Sequence, residues 1–256
     1  MTQFKTDGIV LKEVPVSEAD RMVTILTRDH GMVSGFAGNA KRLRSRKAAA
    51  SAMLCYSHFE LFERKGRYIV DSAEAIEMFL GLRQDVVRLS LAAYFAELTR
   101  CLVPEGEGGE DYLRLLLNSL HLLAGEKRPA ALIKAVFELR MLELAGHMPD
   151  LVGCTCCGAY EGAFSLLPGR AVLCCHACAE RQPEMQDGEQ PMPLLPGVLA
   201  AMRHILYSDE RRIFDFTLSE EGLQALERTV ERYLRIQLDR GFSTLDFYRS
   251  MQRGLG

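Results

Sequence analysis

Two Cys-X-X-Cys pairs constrain this chain more than any other feature. They are Cys154–Thr155–Cys156–Cys157 and Cys175–His176–Ala177–Cys178, with 17 residues between them. Two close thiol pairs joined by a short loop can converge on one ion in a tetrahedron. That is the arrangement zinc adopts with sulfur, at Zn–S distances near 2.3 Å. Four thiolates leave no position open for water or substrate, so a site of this kind holds a fold together. The X-X spacing selects Cys154, Cys157, Cys175 and Cys178 as ligands of one structural zinc. Cys156 and Cys174 lie beside the pairs as competing thiols, and His176 is a weaker substitute. The alternative is a redox dithiol. A thioredoxin-like motif wants a single pair in a βαβ setting, whereas two pairs flanked by Gly158 and Gly169 stand here.

The 256 residues can form one large domain or two or three small ones, and 48% hydrophobic content suffices for real cores. Residues 1–7 are polar and no apolar run follows them, which predicts no secretory signal. No uninterrupted apolar stretch approaches the roughly 18 residues of a membrane span. Eight cysteines without export predict a reducing cytoplasm and metal binding rather than disulfides.

Up to residue 75 the chain reads as short strands: Gly8–Val14, Arg21–Thr27, Gly31–Ala37, His58–Arg64 and Tyr68–Ala75, with turns at Pro15, Asp29–His30–Gly31 and Lys65–Gly66. Five strands in so short a span fit a small closed barrel such as an OB-fold; an SH3-like barrel or an open meander are the alternatives. In the fourth strand, parity places Phe59 and Leu61 in the core and His58, Glu60, Phe62 and Arg64 outside. From about Leu82 the apolar period changes to 3.6. This predicts helices through Val86–Leu98, Asp111–Ala124, Pro129–Ala145, Pro196–Tyr207 and Ser219–Asp239. Arg181–Pro193, polar with three prolines, reads as a linker or exposed loop.

The net charge of −3 hides an asymmetry: residues 1–75 hold 12 Lys and Arg against 9 Asp and Glu. Lys41, Arg42, Arg44, Arg46 and Lys47 fall within seven residues between two predicted strands, and Arg64, Lys65 and Arg67 gather at the next hairpin. A basic loop on a small barrel can follow a phosphate backbone, and the interleaved Phe36, Tyr56, Phe62 and Tyr68 can stack on bases. A run of cations is also often no more than a solvated loop. No Gly-X4-Gly-Lys-Ser/Thr loop is present, and the acidic Gly106–Glu107–Gly108–Gly109 would repel phosphate.

Gly8-Ile-Val-Leu-Lys12, Ser17-Glu18-Ala19-Asp20 and Thr27-Arg28-Asp29-His30-Gly31 are similar to the opening strands of the bacterial recombination mediator family RecO, and the resemblance runs along nearly the whole chain. Gly38-Asn39-Ala40-Lys41-Arg42 with Ser45-Arg46 resembles the family's basic loop. Ala93-Tyr94-Phe95-Ala96-Glu97-Leu98 resembles the start of its helical domain. Phe137-Glu138-Leu139-Arg140 through Gly146-His147-Met148-Pro149 and Cys154 resembles its run into the zinc site. Ser17 departs from the family's glycine, and Cys174 adds a thiol beside Cys175.

The resemblance implies an α+β chain. A five-stranded OB-fold barrel over residues 1–80 precedes a mainly α-helical domain over 81–256, with an inserted four-cysteine zinc-binding element at about 150–182. It also implies a DNA repair and recombination mediator with no enzymatic activity, cytoplasmic and nucleoid-associated. That protein binds single- and double-stranded DNA, anneals complementary strands, and works with RecR and RecF to load RecA onto strands coated by single-strand-binding protein. By position, Lys41, Arg42, Arg44, Arg46 and Lys47 would touch phosphates. A zinc-stabilised protein-interaction adaptor without DNA contact is the rival reading, favoured by the acidic, leucine-rich helical portion. A zinc hydrolase fits worst, since no His-Glu-X-X-His is present.

Overall fold

The computed structural model describes residues 2–38, 46–64, 67–106, 108–181 and 189–254. The chain divides into two compact units. One comprises Met1–Gly125 together with Phe242–Gly256, and the other Glu126–Gly241.

The first unit contains a closed barrel of β1 (Thr2–Pro15), β2 (Arg21–Thr27), β3 (Gly31–Ala37), β4 (Tyr56–Arg64) and β5 (Arg67–Glu77), in the order β1-β2-β3-β5-β4. This is the OB-fold arrangement. β1 closes it by serving two neighbours: Thr2–Ile9 pairs with β4, and Gly8–Pro15 with β2. The handover falls at Gly8, where an added Cβ would lie 2.7 Å from both Ile25 Cγ2 and the Leu26 carbonyl oxygen. Only glycine lets the strands approach that closely as the sheet coils. β3 and β5 pair in parallel, with Gly35 opposite Tyr68 and Phe36 opposite Ile69. Alternation then fills the interior with Val10, Val23, Ile25, Val33, Phe59, Leu61 and Val70.

The small-residue stretch after the basic run is not part of a loop. Arg46–Ala50 forms a short helix, α1, and its Ala50 joins the barrel core. Ser57 Oγ donates to the Ala50 carbonyl at 2.8 Å, pinning the helix under the barrel.

A 3₁₀ turn, Leu80–Gln84, leads into α2 (Val86–Leu102). Its N-cap is Asp85, whose carboxylate accepts from the Val87 and Arg88 amides at 2.7 and 3.1 Å. α3 (Glu110–Ala124) carries Glu110 and Asp111 in its first turn, where the helix dipole favours them. The same unit takes in α8 (Ser243–Gly254), which packs on α2. Glu97 accepts from the Thr244 amide at 3.0 Å, and Phe242 meets Tyr94 edge-on at 5.7 Å.

The second unit is built on α4 (Ala130–Leu144), buried without interruption from Leu132 to Leu142. α6 (Pro196–Tyr207) and α7 (Glu220–Leu238) pack on it. Ser219 caps α7 by accepting from the Gly222 amide at 3.2 Å. Between α4 and α6 lies a sheet ordered β6-β8-β7-β9, formed by β6 (Asp150–Cys154), β7 (Phe164–Leu167), β8 (Val172–Cys175) and β9 (Met192–Leu194), with α5 (His176–Arg181) following β8. The segment 181–193, read from sequence as linker, therefore begins in a helix and ends in a strand. Pro193 sits in β9 opposite Ser165, at the sheet edge where proline is tolerated. None of the described helices is long and apolar enough to cross a membrane.

Candidate metal centre and nucleic-acid interface

The cysteine element is organised by two parallel strands ending side by side. β6 ends at Cys154, opposite Leu173 of β8, and β8 ends at Cys175. Beyond β6 the chain turns back: the Cys154 carbonyl accepts from the Gly158 amide at 2.9 Å, and the Cys154 amide donates to the Ala159 carbonyl at 2.7 Å. Gly158 sits at φ +74°, in the left-handed region. This turn brings Cys157 back over Cys154. Cys178 arrives from the first turn of α5.

The four sulfurs of Cys154, Cys157, Cys175 and Cys178 all lie within 4.8 Å of one another and could hold a metal ion. Cys157 and Cys175 Sγ are 3.7 Å apart. A tetrahedron with bonds of about 2.3 Å has edges of about 3.8 Å, so this spacing fits a thiolate site without rearrangement. Backbone polarity fits as well. Burial raises the Cys154 thiol, yet the amides of Cys175, Cys157 and Cys156 aimed at its sulfur bring it down to about 6. The Cys175 amide donates at 3.3 Å. Hydrogen bonds to Cys157 and Cys175, with burial, push Cys178 upward instead. Thiols packed this tightly oppose one another's ionisation, and a cation among them removes that penalty.

α6 supports the element from outside. Arg203 Nε donates to the Leu151 carbonyl at 2.7 Å, and its Nη2 to the Val152 and Tyr160 carbonyls at 3.1 and 3.3 Å. The Leu151 amide donates to the Tyr207 hydroxyl at 3.1 Å. Neither Arg203 nor Tyr207 carries a sequence signal for this role, since both lie some fifty residues downstream on a helix.

On the barrel, an open groove of about 820 Å³ runs over β2, β3 and β5. Phe36, Tyr68, Met22 and Ile69 line it, with Ser34, and Arg64 and Arg67 stand at its end. Met22 and Ile69 are each 36% exposed, so the groove presents apolar surface to solvent. Arg64 and Arg67 oppose each other across the β4–β5 hairpin, and both are exposed. Like charges directly opposite destabilise a hairpin, so nothing in the fold itself selects that pair. Across β1, β4 and β5, a second cavity of about 460 Å³ holds the carboxylates of Asp7, Asp29, Glu60 and Glu74 against the cations Lys5 and Arg28 and the His58 imidazole, an acidic excess that does not suit a polyanion. Its Lys5 pairs with Glu60, and Asp7 takes both His58 and Arg28.

Family models match both parts of the chain: "Recombination protein O N terminal" over residues 1–79 and "Recombination protein O C terminal" over residues 83–246. The chain belongs to the RecO family. A curated relative from Acetivibrio thermocellus named "DNA repair protein RecO" is 32% identical over 253 residues, covering 99% of each chain. One of the same name from Symbiobacterium thermophilum is 32% identical over 257 residues, covering 98% of this chain and 99% of its own. Another, from an Anaeromyxobacter species, reaches 38% over 207 residues, 79% of this chain and 78% of its own.

Of the cations singled out from sequence, Arg64 and Arg67 meet at the groove, together with Phe36 and Tyr68. Lys47 sits on α1, where its ammonium donates to the Val70 carbonyl at 3.3 Å. Lys41, Arg42, Arg44 and Lys65 lie outside the described residues, as does the side chain of Arg46. Tyr56 is placed elsewhere, accepting from Arg28 at 3.4 Å, and Phe62 is half-buried on β4, opposite Ile69 of the groove but not among the residues that line it. Met22, Ser34 and Ile69 were not singled out from sequence. They reach the groove only through the β2–β3 and β3–β5 pairings.

Proposed function

We propose that this chain is a DNA repair protein that binds single- and double-stranded DNA and promotes annealing of complementary strands. With RecR and RecF it helps load RecA onto strands coated by single-strand-binding protein. Membership in the RecO family and the names of the relatives support the repair role. The observation that carries DNA binding is the groove itself: an aromatic and aliphatic floor ending in two opposed, exposed guanidiniums. Phosphates relieve the repulsion between Arg64 and Arg67, while bases stack on Phe36 and Tyr68. Lys65 and the Lys41, Arg42, Arg44, Arg46 and Lys47 run are assigned to further phosphate contacts on their charge and sequence position alone. Bound strands release counterions, and base pairing supplies the free energy of annealing, so no hydrolytic step is needed.

In this reading residues 1–80 bind nucleic acid, and residues 81–256 dock protein partners around a structural zinc held by Cys154, Cys157, Cys175 and Cys178. Zinc bound there supplies cross-linking rather than Lewis-acid chemistry, because four sulfurs fill the tetrahedron. The protein then acts in the cytoplasm, at the nucleoid.

Oligonucleotide binding measured against salt tests the assignment. Each phosphate contact contributes about −0.7 to the slope of log K against log salt for a single strand. The K41A/R42A/R44A/R46A variant is expected to flatten the slope by about 2.8, and R64A/R67A by about 1.4. F36A/Y68A is expected to lose roughly 1–3 kcal/mol per stacked base with its slope intact. Slopes unchanged in both cationic variants, with weak retention of the full chain on heparin, would favour the adaptor reading.

A further inference from the structure

The tetrathiol set does not use all the sulfur at its end of the sheet. Cys156 follows in the turn after β6, and Cys174 precedes Cys175 on β8. Their sulfurs and that of Cys154 all lie within 4.8 Å of one another, a second cluster sharing one member with the first. Cys174 is buried at 1% exposure, while Cys156 is exposed. The second cluster thus has an anchored donor, a shared donor and a donor at the surface that an arriving ion can meet. A thiolate has lone pairs enough to bridge two cations, so Cys154 can serve both sets. Three sulfurs with no carboxylate or imidazole between them make a donor set selective for soft cations.

We propose that Cys156 and Cys174, with Cys154 as the bridging thiolate, form a second metal site. It takes one thiophilic cation of the Cd²⁺, Zn²⁺ or Cu⁺ class beside the ion in the tetrathiol site. Through the shared Cys154 this rests on reading the tetrathiol set as a metal centre. Binding replaces the thiol protons of Cys156 and Cys174, which pass to solvent, and leaves sulfur oxidation states unchanged. The two ions differ in consequence. The first joins β6, β8 and α5 and is structural. The second joins only Cys156 of the turn to residues already held in strands, so it is exchangeable and marks the element as a place where soft-metal load is registered.

The test is a Cd²⁺ titration of the reduced, metal-stripped full chain. Sulfur-to-cadmium charge-transfer absorbance and bound metal after gel filtration are the readouts. The wild type is expected to retain two equivalents, and C156A/C174A one. C156A alone, a change at an exposed position, is expected to weaken the second equivalent by more than the roughly 10–100-fold that loss of a supporting partner costs. The first equivalent should raise the melting temperature and the second leave it nearly unmoved. A wild type that saturates at one equivalent overturns the second site while sparing the first. Two equivalents in C156A/C174A, or a Cys156–Cys174 disulfide found by mass spectrometry in protein purified without reductant, also overturn it. No bound cadmium at all overturns both sites.

Discussion

The two compact units bury different chemistry. Among the described residues, the buried polar side chains of the first unit are all hydroxyls: Thr6, Thr27, Ser51, Ser57, Ser90, Thr99 and Ser119. Those of the second include four charged groups, Lys134, Glu138, Arg140 and Glu231, beside the Tyr233 hydroxyl, which donates to the His147 carbonyl at 2.9 Å. Most of the hydroxyls donate to a backbone carbonyl a few residues away, as Thr99 does to Phe95 at 2.7 Å and Ser119 to Leu115 at 2.8 Å. Such bonds are local and indifferent to ions. The second unit instead places Lys134, wholly buried, 2.9 Å from both Glu138 and Glu231 and 3.7 Å from Glu227. It adds the cluster of thiols. The barrel closes by backbone pairing and apolar fill, whereas the second unit depends on groups whose partners must all be present.

The largest expected effect follows from that dependence. Stripping metal, or replacing Cys157 or Cys178 by Ala, removes a contribution on the order of 10 kcal/mol in isolated thiolate elements. Amide exchange over residues 150–181 is expected to accelerate sharply while Ile25 and Phe59 in the barrel keep their protection. Equal loss in both units would break the contrast drawn above.

Next come single substitutions of matched burial. Lys134→Ala leaves carboxylates buried without their cation and is expected to cost about 3–5 kcal/mol in denaturant unfolding. Thr99→Ala, equally buried, removes one neutral hydrogen bond and is expected to cost about 1 kcal/mol. Comparable values for the two would show that the charges are not what distinguishes the units.

The smallest effect lies at the Asp85 cap. The Arg88 amide, above all, holds this carboxyl below the usual carboxylate range, with burial opposing and the Val87 amide assisting. A depressed folded-state pKa means that the stabilisation is present above the unfolded value of about 3.9 and is lost as pH falls through the lower folded value. Asp85→Ala is expected to cost about 1 kcal/mol near neutral pH, a difference from wild type that shrinks in urea melts as pH falls below the unfolded carboxyl value of about 3.9. A difference that stays constant as the pH is lowered through the carboxylate range would exclude the charge as its source.

What could be read from sequence follows the range of the forces involved. β2 and β3 match their predicted bounds, because alternation such as Val23–Thr24–Ile25 is a property of neighbours. Phe59 and Leu61 are buried and His58 exposed, as parity predicts. The helices that begin at Ser219 and after Pro129 were legible for the same local reason. The Cys-X-X-Cys spacing singled out four sulfurs that fold to one place, since pairing within each motif fixes half of the geometry. Elements of three to five residues escaped: α1, hidden among alanines, β6, β7 and β8 around the cysteines, and β9, masked by prolines. α8 escaped because only Leu245 and Tyr248 of its twelve residues are buried. The groove was legible only in part. Phe36 and Tyr68 can be named from sequence, but the parallel β3–β5 pairing that sets them beside Met22 and Ile69 joins residues more than thirty positions apart.

The double duty of β1 has a consequence for the newborn chain. Thr2 finds its partner only at Glu63. Until the ribosome has released that far, the amino-terminal edge stands without a mate. At translation rates of about 5–20 residues per second, that wait lasts roughly 3–12 s. A young chain therefore carries an open strand through the most crowded moment of its life, and how fast its fourth strand emerges decides whether it meets itself or a neighbour.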